Sequence, residues 1–559
     1  MNSVLSIVLL ALVGWVVRIY PWVTYSPFRG RYAPGVDFAT WSVLQFGHMP
    51  GMLRASTYTG NLVNGTLFLG EFGRFLLNAP LLLVTGQTSL HDSLQFYALV
   101  PWPGLVALPC MLILGIHAIA QSTRKRVNAG AHPLVYIITY ALAVLGFPSL
   151  IYFTASSGVT DYFGWILLAF VFYALVKRAG MPSSRTKFTA LAVVGLLEVL
   201  IYHHTTALFF ALLLGGVLLV QLRRGANQQS IGVNLVVIYA VLLISYVAYL
   251  TFSFKGYLLA LESSLGNLAS GVLGVSQVSP LSSVATTNQV SLGRILIRSV
   301  DSSLILVVFA AFFWPLLRRK VLGQTEKLLS GLMVGTGLAA AFVIGWGGFG
   351  AFFIRISALS AVVGILGASF LVMRANERTK RRILVLVSVV IIVSPIAYVS
   401  GQPAQQGALR FSESTALQWA NQFVGKQNTI LSDSRLASPL IYFGFQDPLG
   451  FEDEGVNTTG QEMLLRIYKG LYHPDDPGQV ELAVCEAGAS YGISVRYGIY
   501  SSAFAQSDTS IVGYLNTYYP AEANASAMWD RATSFDRVYD SGTTHVFWIG
   551  SISTQCGNT

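Results

Sequence analysis

The sequence predicts a polytopic α-helical membrane protein with a C-terminal extracytoplasmic α/β domain. Three observations carry that reading. Hydrophobic residues make up 53% of the 559 positions and charged residues only 11%, whereas a soluble chain carries roughly a quarter charged residues. The apolar excess (mean hydropathy +0.59) is divided into blocks near the length that a helix needs to cross a bilayer. From Gln402 onward the character changes: Asp and Glu become frequent and apolar runs become short.

The blocks read as helices because lipid offers the backbone no hydrogen-bond partner. They fall at 3–22, 95–119, 133–152, 161–177, 188–202, 204–221, 231–252, 295–316, 327–346, 353–373 and 383–400, about eleven spans. Block one has no basic start and ends in Arg18-Ile-Tyr-Pro-Trp22, so it reads as a retained span rather than a cleaved signal. Basic clusters follow alternate spans: Arg124–Arg126, Lys177–Arg178 with Arg185 and Lys187, Arg223–Arg224, Arg318–Lys320, and Arg378–Arg382. By the positive-inside rule that face is cytoplasmic, as is the N-terminus. The same clustering accounts for the net charge of +10 without a nucleic-acid partner. Arg18, Arg29 and Arg31 follow the first span on the opposite face and run against the rule.

The organisation expected is a transmembrane unit over 1–401, whose first extracytoplasmic loop (23–94) contains interfacial helices, and a soluble unit over 402–559. In the second unit, Ser414–Phe423 has helical spacing and Thr429–Ser432 reads as a buried strand. Phe535–Tyr539 and Thr544–Trp548 alternate around Asp540-Ser-Gly542, a hairpin signal. Cys485 and Cys556 both lie here, where an oxidising compartment permits pairing, while Cys110 lies in an apolar block. Three sequons, at Asn64, Asn457 and Asn524, fall on the proposed outer face.

Ionisable groups near the outer boundary are the candidate site residues, because burying them in lipid is costly. Asp37 follows span one in Pro34-Gly-Val-Asp37-Phe38; it is either a helix cap or a surface carboxylate acting as base or metal ligand. Tyr202-His203-His204-Thr-Thr206 is either an interfacial turn or a pair of imidazoles for a phosphate or metal. Arg355, after the Gly347-Gly-Phe-Gly350 run, either snorkels or grips a phosphate or carboxylate through two parallel hydrogen bonds. Asp161 and Glu198 are possible second acids, Asp161 also reading as an N-cap and Glu198 as a buried, protonated group. Arg294, Arg298 and Asp301 sit at helical spacing and can pair among themselves.

This layout resembles the GT-C superfamily of membrane glycosyltransferases. Arg18-Ile-Tyr20-Pro followed by Gly35-Val-Asp37 is similar to the family's first-loop acid. His203-His204-Thr-Thr-Ala207, Ala416-Leu-Gln-Trp-Ala420 and Phe535-Asp-Arg-Val-Tyr539-Asp-Ser-Gly542 resemble archaeal members. The resemblance implies a polyprenyl-(pyro)phosphate sugar donor and an acceptor that is a glycan, lipid or protein. It also implies inverting transfer with Asp37 as base or metal ligand, and a divalent cation (Mg or Mn) held by Asp37 and Asp161. Arg355, His203 and His204 then bind the donor phosphate. Two departures stand out: Phe38 follows Asp37 where many relatives have a second acid, and the tail has no Trp-Trp-Asp-Tyr-Gly. The second counts against transfer to Asn. A non-catalytic scaffold of this fold and a lipid-linked sugar flippase or other transporter are the rival classes.

Overall fold

The computed structural model describes residues 3–24, 102–122, 132–155, 161–202, 204–223, 231–250, 305–311, 323–345, 351–401, 411–425, 428–432, 449–450, 469–472, 474–491, 495–501, 511–512, 517–518 and 524–550, with single residues 303, 436, 440 and 467. Asp37, His203, Arg294, Arg298, Asp301, Cys556 and the sequons at Asn64 and Asn457 lie outside them.

Within the first 401 residues the described part contains α1 (Ser3–Thr24), α2 (Leu108–Ser122, entered through a π-turn at Pro103–Ala107), α3 (His132–Leu145), α4 (Pro148–Ala155), α5 (Asp161–Gly180), α6 (Arg185–Tyr202), α7 (His204–Arg223), α8 (Val233–Leu250), α9 (Gln324–Gly345), α10 (Ala351–Arg374) and α11 (Glu377–Gly401), with a further helical stretch at 305–311. Among the described residues, four helical stretches are long and apolar enough to cross a membrane: Gly104–Gln121, Phe163–Gly180, Arg355–Arg374 and Glu377–Val399. Four shorter apolar helices accompany them. Their ends follow local chemistry. Glu326 accepts a hydrogen bond from the Gly323 amide at 2.8 Å and so starts α9. Asn376 caps α11 by accepting from the Thr379 amide at 2.9 Å. The 133–152 block, read as one helix, is broken at Gly146–Phe147, where Pro148 cannot donate to Val144.

α10 is buried almost throughout and is the hub of the bundle. α7 and α9 cross closely: a Cβ on Gly216 would lie 2.2 Å from the Gly335 nitrogen, and one on Gly331 2.4 Å from the Val217 Cα. α1 turns Val4, Val8, Leu12 and Val16 outward, and α11 turns Val385, Val389, Ile392 and Ile396 outward. Exposed apolar stripes of this length suit hydrocarbon rather than water.

Charged side chains gather at one end of the bundle. There Lys177 Nζ donates to Gln121 Oε1 at 2.5 Å, Arg178 Nε donates to Thr189 Oγ1 at 2.9 Å, and Arg374 pairs with Glu326. The Arg378–Arg382 run begins α11 at this same end. α2, α5, α7 and α10 run toward this basic end, and α3, α6, α9 and α11 run away from it. α1 lies beside α3 and α11.

From Phe411 a mixed sheet forms. α12 (Phe411–Phe423) precedes β1 (Thr429–Ser432) and β2 (Leu449–Gly450). After α13 (Pro477–Tyr491) come β3 (Val495–Ser501), the short ribbon β4 (Ile511–Val512) and β5 (Thr517–Tyr518), α14 (Ala525–Arg531), β6 (Phe535–Asp540) and β7 (Thr544–Ile549). The strand order is β2-β1-β3-β7-β6, with β1 parallel to β2 and β3, and β7 antiparallel to β3 and β6. β1 is buried along its length. Helices cover both faces. Ala416, Leu417 and Ala420 of α12 pack on Ile430, Ile499 and Val546. On the other face Trp529 packs against Tyr500, Phe535 and Phe547 and donates from Nε1 to the Leu471 carbonyl at 2.9 Å. The β6–β7 hairpin turns on Gly542 at φ 89°, the left-handed region that favours glycine. Its amide donates to Asp540 Oδ1 at 2.7 Å. Cys485 on α13 is disulfide-bonded, and Cys110 is free.

Candidate functional site at the end opposite the basic cluster

Three helix starts lie at the end of the bundle opposite the basic residues. α5 begins with Asp161 and α7 with His204. A Cβ on Gly164 would sit 2.5 Å from the Thr206 Cγ2, so the first turns of the two helices touch only because residue 164 has no side chain. Asp161 and His204 therefore begin adjacent helices.

The height of Arg355 follows from a second glycine. A Cβ on Gly115 would touch Phe172 at 3.1 Å and Leu366 at 3.7 Å, which sets those two residues level with each other. Asp161 lies eleven residues from Phe172 along α5, and Arg355 lies eleven residues from Leu366 along α10. At 1.5 Å per residue both rise about 16 Å from that level toward the same end. Arg355 is partly buried one turn into α10, above the buried Ser357 and Ser360. Trp102, at the mouth of α2, meets Phe163 edge-on at 5.9 Å and closes one side.

Of the sequence candidates, the helix starts carrying Asp161 and His204 and the Arg355 turn are brought to one level. His203, between α6 and α7 in sequence, and Asp37, thirteen residues after the end of α1, lie outside the described residues. Glu198 is not brought in. It is exposed on α6 beside exposed Val194, Leu197 and Ile201, and so faces away from the bundle interior.

Two residues carry more than the sequence reading gave them. Arg18, read there as a charge flanking the first span, is inside α1 and fully buried. Glu413, at the start of α12, is buried and accepts from Ser501 Oγ at 2.6 Å, fastening α12 to the end of β3. Nearby on the tail, His545 Nδ1 lies 3.2 Å from Asp540 Oδ1, and Arg537 pairs with both Asp540 and Asp530. Burial pushes the His545 imidazole below its usual value, partly opposed by the Asp540 carboxylate. The Gly542 amide and Arg537 hold Asp540 below the ordinary carboxylate range. Among the described residues no group of three or more His, Cys, Asp or Glu is placed to hold a metal ion.

No protein-family model matches the sequence, and no curated protein matches it. Solved structures do. The oligosaccharyltransferase AglB from Archaeoglobus fulgidus, in complex with an inhibitory peptide and a dolichol-phosphate, superposes over 97% of this chain and 74% of its own at TM-score 0.57 and 12% identity. ArnT from Cupriavidus metallidurans in the apo state superposes over 98% of both chains at TM-score 0.51 and 10% identity. Both are GT-C glycosyltransferases. The chain has the GT-C fold. A further Archaeoglobus fulgidus oligosaccharyltransferase structure, a complex with Zn and sulfate, covers 89% of this chain and 68% of its own at TM-score 0.51 and 13% identity. At such identities the GT-C likeness is one of architecture.

Proposed function

We propose that this chain is a glycosyltransferase that moves a sugar from a polyprenyl-(pyro)phosphate donor to an extracytoplasmic glycan, lipid or protein acceptor. The observation that carries the proposal is the common level of Asp161, His204 and Arg355 at one end of a bundle whose fold matches a dolichol-phosphate complex. A polyprenyl chain stays in the bilayer while its phosphate sits at the headgroup level, so groups for the phosphate belong at a helix-start layer of this kind.

In this reading Arg355 holds two phosphate oxygens through its fork, and His203 and His204 donate to the others. Their charge and dipoles stabilise the phosphate as it leaves. Asp37 takes the proton of the acceptor hydroxyl. The acceptor oxygen then forms its bond to the anomeric carbon as the bond from that carbon to the donor phosphate breaks. Attack from the opposite face inverts the anomeric centre. The tail, carrying its own sheet, binds the acceptor.

The donor set for a divalent cation is Asp37 and Asp161, two hard oxygen ligands that suit Mg or Mn with water or phosphate oxygens completing the shell. A cation there would supply positive charge to the donor phosphate.

Asp37→Asn decides the role of the carboxylate, because Asn caps a helix nearly as well as Asp but cannot act as a base. Transfer from a polyprenyl-linked sugar by the purified protein should fall by about 10²- to 10⁴-fold. Arg355→Ala should weaken donor binding, with Arg355→Lys between it and wild type. Normal turnover in Asp37→Asn would make Asp37 a cap and remove the chemistry proposed here.

A further inference from the structure

Arg18 is the one Lys or Arg side chain that is fully buried among the described residues. Its Nη1 donates to the Gly14 carbonyl at 3.1 Å, one turn back on α1, and to the Val144 carbonyl at 2.9 Å, near the end of α3. Val144 is four residues before Pro148. In an unbroken helix its carbonyl would accept from the amide of residue 148, but proline has no N–H to give. A buried carbonyl without a donor is costly, and Arg18 supplies the donor from a different helix.

The surroundings are built for that reach. A Cβ on Gly14 would lie 2.2 Å from the Val144 Cγ1, so only glycine lets α1 come this close to α3. A Cβ on Gly146 would lie 2.7 Å from the Leu142 carbonyl oxygen, so the break also needs glycine. Ser394 of α11 donates to the Gly146 carbonyl at 2.9 Å. Val17 packs with Tyr140 on one side and Tyr398 on the other. Four helices thus meet at one backbone break.

In sequence, both exits from this knot lead toward candidate acids. Asp37 follows the end of α1 at Thr24 by thirteen residues, and α4 ends at Ala155, six residues before Asp161. We propose that Arg18 is a positioning residue: by donating to the Val144 carbonyl that Pro148 leaves without its helical donor, it locks α1 to the α3–α4 break and so fixes α4, whose end lies six residues before Asp161. The lock itself rests on the geometry alone, and its effect on transfer rests on the glycosyltransferase reading above.

The test uses the full-length protein in lipid nanodiscs. Arg18→Met keeps the stem and keeps the span apolar, so insertion is not impaired. Pro148→Ala restores the missing amide and should make the Arg18 donor redundant. Hydrogen exchange should rise in Arg18→Met over the end of α1 and over α4, with no change in the C-terminal sheet. Sugar transfer should show kcat lower by about 10²-fold, the order expected when reacting groups are misplaced, with donor KM unchanged. Arg18→Lys, which keeps a donor, should fall between. In the Pro148→Ala background both effects of Arg18→Met should largely vanish. Equal damage in that background, or exchange unchanged in the single variant, overturns the lock. A raised donor KM with kcat intact would make Arg18 a ligand contact and overturn the positioning role. Failure of the wild type to transfer sugar would overturn the glycosyltransferase reading and the positioning role with it, while the exchange result still decides the lock.

Discussion

Replacing Gly216 with alanine should separate α7 from α9 and carry the His204 helix start away from its neighbours. The added Cβ would sit 2.2 Å from the Gly335 nitrogen, 2.5 Å from the Gly331 oxygen and 2.5 Å from the Gly335 Cα. All three are backbone atoms, so no side chain can rotate aside. Restoring contact near 3.5 Å requires the helices to part by about 1 Å, and overpacking of this kind costs typically 1–3 kcal/mol. Gly215 supplies the control in the adjacent residue, since a Cβ there meets nothing within 4 Å. Gly215→Ala should be neutral or stabilise by up to about 1 kcal/mol through helix propensity. Thermal unfolding of the detergent-purified variants, with binding of a polyprenyl-phosphate lipid measured in parallel, reads both consequences. Gly216→Ala should melt lower and bind the lipid more weakly, whereas Gly215→Ala should do neither. Equal melting temperatures for the two variants would refute the close-contact argument.

Further outcomes concern His545, orientation and the disulfide. Burial depresses the His545 imidazole in the folded tail, so the unfolded chain binds the extra proton. The contribution of His545 is fully present above its unfolded value near 6.5 and is lost as pH falls below it. His545→Gln should flatten the loss of β6–β7 hydrogen-exchange protection between about pH 7 and 5; an unchanged slope would assign that loss to other groups. Orientation is the second outcome. The basic end should face the cytoplasm, so in intact cells a cysteine placed at Thr559 should react with an impermeant maleimide and one at Arg223 should not. Cys485 should also be protected from alkylation until reductant is added, because its disulfide needs an oxidising compartment. The reverse labelling pattern would put the Asp161–Arg355 layer on the cytoplasmic side.

Much of the helical frame was legible because lipid forces continuous apolar blocks, and Asp540-Ser-Gly542 announced its hairpin through turn chemistry. The helical spacing over Ser414–Phe423 likewise marked α12. Other features lay beyond sequence reasoning. α6 is apolar nearly all round, so periodicity could not say which way Glu198 points, and it points outward. The contact of Gly164 with Thr206 joins residues 42 apart in the chain, and nothing local signals it. The order β2-β1-β3 depends on parallel crossovers, which no turn residue encodes. Arg18 was misread for a physical reason: a cation near a span's end ordinarily reaches for the interface, and only the distant Pro148 gives it a partner inside.

That partner also bears on the transporter alternative. Transporters build ion and substrate sites from broken helices whose freed carbonyls and helix ends face a cavity near mid-membrane. This protein has such a break, between α3 and α4, with a buried cation beside it, so sequence-level criteria would count both in favour of transport. The hydrogen bonds argue otherwise. The Val144 carbonyl accepts from Arg18, and the Gly146 carbonyl accepts from Ser394. These two carbonyls are therefore engaged by other helices, and Tyr140 donates its hydroxyl to the Leu105 carbonyl at 2.9 Å. A break fastened by donors from two other helices resists opening, whereas alternating access would require it to open in every cycle. The helix starts at Asp161 and His204 and the Arg355 turn lie at a different level, the end of the bundle opposite the basic cluster, so the donor site proposed above does not require the break to open.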